Sequence, residues 1–544
     1  LNTLAHRFAK AVADDPDGIA IIHAGREHTF REVAALSDRY ANGLRAHGVS
    51  PGTRIAGMVP PSVEFFALCY AMFKVGAAAV YIDPGMDPNT LKLCLDRARP
   101  DVFLGIPLAH QARVAFGWGD PSVRLNITHG EAGDYGGPTL ADFTDDTPFA
   151  PVDVDPHDLA MILYTTGSTG PAKGAMFTHA NIDAQFETLG ALFDFRPGRR
   201  DMPTMPTVAP YTVAAGMTSV IPDMDFTKPG NVDPADLIAQ INRHQVVSMF
   251  GSPALIDRVG RYGSAHGAKL PTLRRVLTAA APVSPQTLRR FGEMLAPGAE
   301  FKVFYGATEA LPVAVIDAEE IISETAAGWA AGKGSCVGKP MATMRTAVIP
   351  ITDDALVNWS PDDVVAPGEV GELVVSGGEV SASYTGQPET NKVAKMLISA
   401  TGQLWHRMGD AVRVDDRGRF WFQGRVGHRV QTADGVYFTE PVEAVFNQTP
   451  DVRRTALVGI GEPGALLPVL CVEMESTQPW QGSDDVREQL LEYGARHTHT
   501  AGIKHILFHD GFPVDIRHNS KIVREKLAAW ATVQLETSPQ TAVR

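Results

Sequence analysis

Four cysteines in 544 residues, Cys69, Cys94, Cys336 and Cys471, are too few and too scattered for a disulfide framework or a thiolate metal site. None forms a CxxC pair, so buried, inert thiols in a reducing, cytoplasmic setting are expected. Positive charge is also short: 48 Lys and Arg stand against 62 Asp and Glu, a formal net charge of -14. That balance argues against a nucleic-acid partner, since phosphate recognition needs a basic surface. Long apolar runs are scarce. The most hydrophobic stretch, residues 65–82, approaches the length of a bilayer span, yet it carries Lys74 and Gly76 and ends at Asp83-Pro84. A buried helix running into a buried strand is expected there rather than a transmembrane segment. The visible N-terminus, residues 1–15, holds charges and shows no signal-peptide core. With 44% hydrophobic and 20% charged residues, the chain has the make-up of a soluble globular protein with enough core for two or more domains.

Short Val- and Ile-rich runs alternate with amphipathic stretches, which predicts an α/β protein with sheets covered by helices. Strands are expected at residues 19–23, 54–59, 100–106, 159–164, 246–250, 275–278, 302–304 and 419–422, and a helix at 30–46. Residues 142–158 are acidic and contain Pro148, Pro151 and Pro156, as in an extended connector. Gly424-Arg425-Val426-Gly427 follows a strand-like run and opens a smaller segment with its own helix and strand signals. Residues 536–544 have the look of a frayed tail.

Six segments carry chemistry. Tyr164-Thr165-Thr166-Gly167-Ser168-Thr169-Gly170-Pro-Ala-Lys173 follows a buried strand, and its small and hydroxyl residues leave N–H and O–H donors free to wrap phosphate oxygens. Lys173 adds a point charge. The GxxxxGK[ST] spacing fails, so a P-loop ATPase is excluded. Tyr305-Gly306-Ala-Thr308-Glu309 follows a strand; a lone Glu after a turn is usually a solvated surface group, but Mg²⁺ favours one such carboxylate plus phosphate oxygens. Thr278-Ala-Ala280-Ala281-Pro282 is a loop of small residues that lets a planar base approach the backbone. Gly409-Asp410 and Gly424-Arg425 lie further along, where a Gly-Asp pair alone is most often a turn. The last segment is Phe512-Pro513…Asn519-Ser-Lys521-Ile-Val-Arg524.

In this order the segments resemble those of the adenylate-forming superfamily that comprises acyl-CoA synthetases, peptide-synthetase adenylation domains and luciferases. The resemblance covers residues 1–530. It implies a large N-terminal domain of layered sheets and helices, residues 1–425, and a small mobile α+β C-terminal lid, residues 426–544, hinged near Gly427. It further implies that Thr165, Thr166, Gly167, Ser168, Thr169, Gly170 and Lys173 bind the nucleotide phosphates. Ala280, Ala281 and Pro282 wall the adenine, Tyr305 stacks on it, Gly306 binds the nucleotide beside it, and Thr308 contacts the α-phosphate. Glu309 holds Mg²⁺, Asp410 accepts both ribose hydroxyls, Arg425 reaches the ribose or phosphate, and Lys521 neutralises charge between carboxylate and α-phosphate. ATP and Mg²⁺ are the implied cofactors.

Departures from the acyl-CoA synthetase pattern cluster: Gly427 stands at the hinge Asp or Lys, Ser520-Lys521 at Gly-Lys, Ser383-Tyr384 at Gly-Tyr, and Thr207-Val-Ala-Pro-Tyr211 where an aromatic or His is usual. Over its length the chain resembles the β-lactone synthetases of bacterial long-chain olefin biosynthesis. That resemblance implies activation of a long-chain 2-alkyl-3-hydroxy acid and ring closure by its own hydroxyl, without CoA, and partner enzymes before and after that step. A long-chain acyl-CoA synthetase or acyl-AMP ligase is the alternative, and a non-catalytic adenylate-binding subunit a lesser one. Residues 207–225 and 250–255 suit a hydrophobic acyl tunnel or equally a core. His179 is expected to be a hydrogen-bonded structural residue.

Overall fold

The computed structural model describes residues 2–165, 172–356, 359–360, 362–398, 401–475, 484–515 and 521–537. The apolar stretch at residues 65–82 settles the first question of the sequence. Ser62 caps the helix Val63–Lys74 by accepting the Phe65 N–H, and 11 of its residues are buried, so it has no solvent face. Gly76, at φ 71°, turns the chain into the strand Ala78–Tyr81. Lys74 stays in the interior because its ammonium lies 2.5 Å from the Asp38 carboxylate on the neighbouring helix Phe30–Ala46. Among the described residues no helix is long and apolar enough to cross a membrane. All four cysteines are buried and free.

Two large sheets form the body. One has seven strands, in the order Ser383–Tyr384, Gly174–Thr178, Leu159–Tyr164, Ala78–Tyr81, Arg54–Met58, Val102–Gly105, Leu125–Thr128. The other has 14 strands and runs from Arg345–Ile349 through Gln403–Val414, Phe420–Arg425 and Glu300–Ala307 to Arg26–Thr29. Its middle is parallel, with Ser248–Phe250, Arg275–Thr278 and Glu300–Ala307 side by side. Helices Pro253–His266 and Pro285–Gly292 connect these strands, each started by a Ser cap and a Pro in the first turn. The largest apolar core lies where both sheets meet the helices Leu4–Asp14, Val63–Lys74 and His179–Phe193. A small α+β C-terminal domain follows, a three-stranded sheet of Val452–Ile460, Leu467–Met474 and His505–Phe508 packed with helices Thr439–Phe446 and Arg524–Thr537.

Strand positions follow the sequence while their ends shift. The run at 54–59 ends at Met58, that at 100–106 narrows to Val102–Gly105, and that at 246–250 to Ser248–Phe250. In contrast, 302–304 grows to Glu300–Ala307 because an antiparallel partner, Ala310–Asp317, extends its ladder. The run at 419–422 moves forward to Phe420–Arg425, which places Gly424 and Arg425 inside the sheet rather than beyond it. Arg419 is held out of the ladder by Asp415, Glu320 and Glu324.

Candidate active site

A cleft of about 450 Å³ opens at the carboxyl ends of the parallel strands and is closed on the far side by the small domain, the position at which open α/β sheets take ligands. The two ends of the Tyr164–Gly174 loop, at Thr165 and Lys173, reach it. That loop joins two antiparallel strands instead of leading into a helix. Its base is fastened by Thr165 N–H to the Lys173 carbonyl at 2.9 Å and by Lys173 N–H to Thr165 Oγ1 at 3.3 Å. Thr165 and Lys173 line the cleft. Thr166, Gly167, Ser168, Thr169 and Gly170 lie outside the described residues. Burial lowers the Lys173 ammonium from its ordinary value, with Glu309 opposing and Arg425 adding to the fall.

Ala280, Ala281 and Pro282 follow Arg275–Thr278 and form one wall. Ala280 sits at φ 90°, a conformation costly for an L-residue and held here by the loop. Tyr305, Gly306, Thr308 and Glu309 also line the cleft, at the tight turn between Glu300–Ala307 and Ala310–Asp317. Gly306 is required there, because a Cβ would meet the Ala310 carbonyl oxygen at 2.6 Å.

Glu309 is not a solvated surface group. It is 8% exposed and accepts the Tyr384 hydroxyl on Oε1 at 2.5 Å. Burial pushes its carboxyl up, but His406, the Tyr384 hydroxyl and Lys395 outweigh it, so the balance lies below the ordinary glutamate range. His406 is itself neutral at neutral pH, pushed down to about 3 by burial and by Lys395. At neutral pH the Tyr384 hydroxyl and the Glu309 backbone N–H still favour the ionised form, while burial pushes Lys395 itself down to about 7.

Gly409-Asp410 is not a turn. Asp410 lies inside the strand Gln403–Val414, directly opposite Arg425 of Phe420–Arg425, so both side chains share one face. Arg425 Nη1 donates to Asp410 Oδ1 at 2.6 Å and to the Met408 carbonyl at 2.9 Å. The other carboxylate oxygen accepts the Tyr305 hydroxyl. Asp410, expected to be open for two ribose hydroxyls, thus has each oxygen engaged by a protein donor. Tyr305 is tied by its hydroxyl as well as by its ring, whose centroid lies 6.1 Å from that of Phe422. The Asp410 charge raises Arg425 above its ordinary value, against the opposing effect of burial.

From the small domain come Lys521, Glu440 and Arg524. Lys521 N–H donates to Asp515 Oδ1 at 2.8 Å, fixing the backbone from which the side chain reaches the cleft. Arg524 is committed to Glu443 at 2.6 Å and 3.0 Å and serves the small domain's packing. Glu440 accepts the hydroxyl of Ser335, on the body, at 2.7 Å. Burial, with Glu443 beside it, pushes Glu440 up to about 7.

Residues 207–225 and 250–255 do not line this cleft; Tyr211, Val213 and Phe250 are core, and the Tyr211 hydroxyl donates to Gln185 at 3.2 Å. Their apolar composition reflects packing between sheet and helices. His179 is a buried core residue as expected, yet neither ring nitrogen has a hydrogen-bond partner; it meets Phe73 edge-on at 5.8 Å. Tyr384, Lys395 and His406 join the site only in the structure. Ser383-Tyr384 contains the first and His406 stands three residues before Gly409, whereas Lys395, at the start of the strand Lys395–Ile398, carries no signal.

Residues 8–385 match the family model described as "AMP-binding enzyme". The chain is 43% identical to the olefin β-lactone synthetase of Stenotrophomonas maltophilia over 98% of each chain. It is 44% identical to the olefin β-lactone synthetase of Xanthomonas campestris pv. campestris over 93% of this chain and 91% of that one. ATP-bound MatB from Rhodopseudomonas palustris superposes with a TM-score of 0.79 at 21% identity, over 97% of this chain and 98% of that one, which is a likeness of fold.

Proposed function

The chain belongs to the AMP-binding enzyme family, and from that premise we propose that it activates a long-chain 2-alkyl-3-hydroxy acid as its acyl-adenylate and closes the product to a β-lactone. The observation that carries this reading is the identity of 43% over 98% of each chain with an olefin β-lactone synthetase. Adenylate formation itself is the activity of the family, with ATP as co-substrate.

The cleft's own residues supply the means. The ATP phosphates lie against the loop based on Thr165 and Lys173, adenine against Ala280, Ala281, Pro282 and Gly306 beside Tyr305, and the ribose against Asp410 and Arg425. For Asp410 to take ribose hydroxyls it uses its remaining lone pairs or exchanges the Tyr305 hydroxyl. Thr308 donates to the α-phosphate. No group of three His, Cys, Asp or Glu able to hold a metal ion occurs among the described residues, and the cleft offers a hard carboxylate, Glu309, beside hydroxyls. That donor set fits Mg²⁺ held by one carboxylate and phosphate oxygens. Bound there, Mg²⁺ neutralises phosphate charge. Lys521 brings a cation from the small domain to the point where two anions meet, the repulsion that otherwise blocks attack of carboxylate on phosphorus.

A carboxylate oxygen bonds to the α-phosphorus and the bond to pyrophosphate breaks. The substrate's 3-hydroxyl oxygen then bonds to the acyl carbon, AMP leaves with its bonding pair, and the hydroxyl proton is released. Because nucleophile and electrophile share one molecule, proximity replaces a second substrate, and CoA is not needed. The two parts meet at residues 425 and 426, with rotation near Gly427, in the one-turn helix Val426–His428. The enzyme works in the cytoplasm, between enzymes that make the hydroxy acid and decarboxylate the lactone.

The test is incubation with Mg-ATP and a long-chain 2-alkyl-3-hydroxy acid, with and without CoA, with products identified by NMR and mass spectrometry. A product lighter than the acid by one water and independent of CoA is expected. A thioester formed only with CoA moves the chain to the acyl-CoA synthetases. No pyrophosphate release either with or without CoA leaves it a binding subunit.

A further inference from the structure

Glu309 stands in the turn between two strands of the 14-stranded sheet, and Lys173 immediately before Gly174–Thr178 of the seven-stranded one. One short segment, Ser381 to Gln387, touches both. Ser381 N–H donates to the Glu309 carbonyl at 2.8 Å, and three residues later the Tyr384 hydroxyl donates to the Glu309 carboxylate at 2.5 Å. The same segment then turns to the other sheet. Ser383–Tyr384 pairs with Gly174–Thr178, Thr385 N–H donates to the Gly174 carbonyl at 2.9 Å, and the Gln387 side-chain amide donates to the Ala172 carbonyl at 3.0 Å. Both chain neighbours of Lys173, Ala172 and Gly174, are therefore bonded to a segment that also grips Glu309 twice.

The segment is fixed on its own account. Asn391 accepts the Tyr384 N–H at 2.7 Å and donates back to the Tyr384 carbonyl at 2.9 Å. Lys395 donates to the Ser381 carbonyl at 2.7 Å and to its hydroxyl at 2.9 Å. The Tyr384 ring lies between the two sheets with the ammonium of Lys173 5.7 Å and that of Lys395 5.3 Å from its centroid, within the range of cation–π attraction. Ser381, Tyr384, Thr385 and Gln387 are all buried. A surface loop has no use for so many interior anchors.

We propose that Ser381–Gln387 is a strap that sets the Glu309 carboxylate in register with Lys173, and that Tyr384 is the positioning residue through which it acts. By occupying Oε1, the Tyr384 hydroxyl fixes the rotation of the carboxylate and directs Oε2 as the oxygen offered to a cation. The proposal rests on the reading of Glu309 as the Mg²⁺-holding residue. Residues that orient a metal-holding side chain without touching the metal commonly govern its affinity.

The test compares Tyr384→Phe, which keeps the ring and removes the hydroxyl, with Glu309→Gln and the native protein. Calorimetry measures ATP binding with Mg²⁺ and with EDTA, and pyrophosphate release is followed against Mg²⁺ concentration. In Tyr384→Phe, the Mg²⁺ concentration for half-maximal rate is expected to rise ~10-fold, with a smaller fall in kcat. ATP binding in EDTA is expected to stay as in the native protein. Lys395→Met is expected to shift the Mg²⁺ requirement in the same direction by less, and it stands in if Tyr384→Phe does not fold. An unchanged Mg²⁺ requirement in Tyr384→Phe, alongside a raised one in Glu309→Gln, overturns the strap and leaves Glu309 in place. An unchanged requirement in both removes the role given to Glu309 and the strap with it. Equal weakening of ATP binding with Mg²⁺ and with EDTA shows a structural contact only, and also overturns the proposal.

Discussion

Glu309 and Asp410 are both buried carboxylates on one cleft, 8% and 3% exposed, and they are treated in opposite ways. Asp410 faces a guanidinium across a strand pair and accepts a phenol on its other oxygen. Glu309 has a phenol on one oxygen and, among the described residues, no guanidinium bonded to it, with the Lys173 and Lys395 side chains kept further off around the Tyr384 ring. A fixed cation neutralises a carboxylate permanently, so the charge serves to hold geometry. A neutral donor leaves the negative charge to be met by something brought in with the substrate. The difference separates an organising carboxylate from a recruiting one.

The contrast breaks most readily at Glu309. Glu309→Gln keeps the shape and the Tyr384 contact while removing charge, and pyrophosphate release is expected to fall ~10³-fold with the melting temperature little changed. A variant within a few-fold of native turnover sinks the distinction. Lys521→Ala comes next, with a loss of ~10²-fold in pyrophosphate release. Combined with Glu309→Gln it is expected to add little, because both act on the same phosphate charge; fully multiplicative losses count against a shared site.

Asp410→Asn sharpens the other half. The Michaelis constant for ATP is expected to rise ~10-fold, and unfolding in urea to show a loss of ~1–3 kcal/mol from the weakened Arg425 contact. If only turnover suffers, Asp410 belongs with Glu309. The smallest effect concerns a third carboxylate, Glu440, pushed up to about 7 from an ordinary 4.5. Between those values the folded protein holds a proton that the unfolded chain releases. The stabilising contribution of Glu440 is thus present below pH 4.5 and lost as pH rises through 7. Glu440→Gln is expected to be more stable than the native protein by ~1 kcal/mol at pH 8 and equal to it at pH 4.5. Parallel stability curves for the two would refute that.

The segments that name the site were legible because each is a local string whose chemistry survives out of context: the loop ending at Lys173, the turn at Thr308 and Glu309, and Lys521 near the end. The structure brings the described members of all three to one cleft. What sequence could not supply was pairing. Gly409-Asp410 has the local character of a turn, and only the ladder opposite Arg425 makes it strand. Lys395 is a lysine in a polar helix-and-strand stretch until the chain folds it against Ser381. The 207–225 stretch illustrates the converse, since an acyl tunnel and a packed core ask for the same residues, and contact with the helices decided for the core.

The strand Ile19–His23 sits beside Thr218–Val220, whose Thr218 hydroxyl donates to the Ile19 carbonyl across 199 residues of chain. On a ribosome releasing ~5–20 residues per second, the amino end waits ~10–40 s for its neighbour. The seven-stranded sheet waits longer still for its edge, Ser383–Tyr384. The nascent enzyme therefore carries an unfinished rim through most of its synthesis, and catalytic competence arrives as a late event in the birth of the molecule.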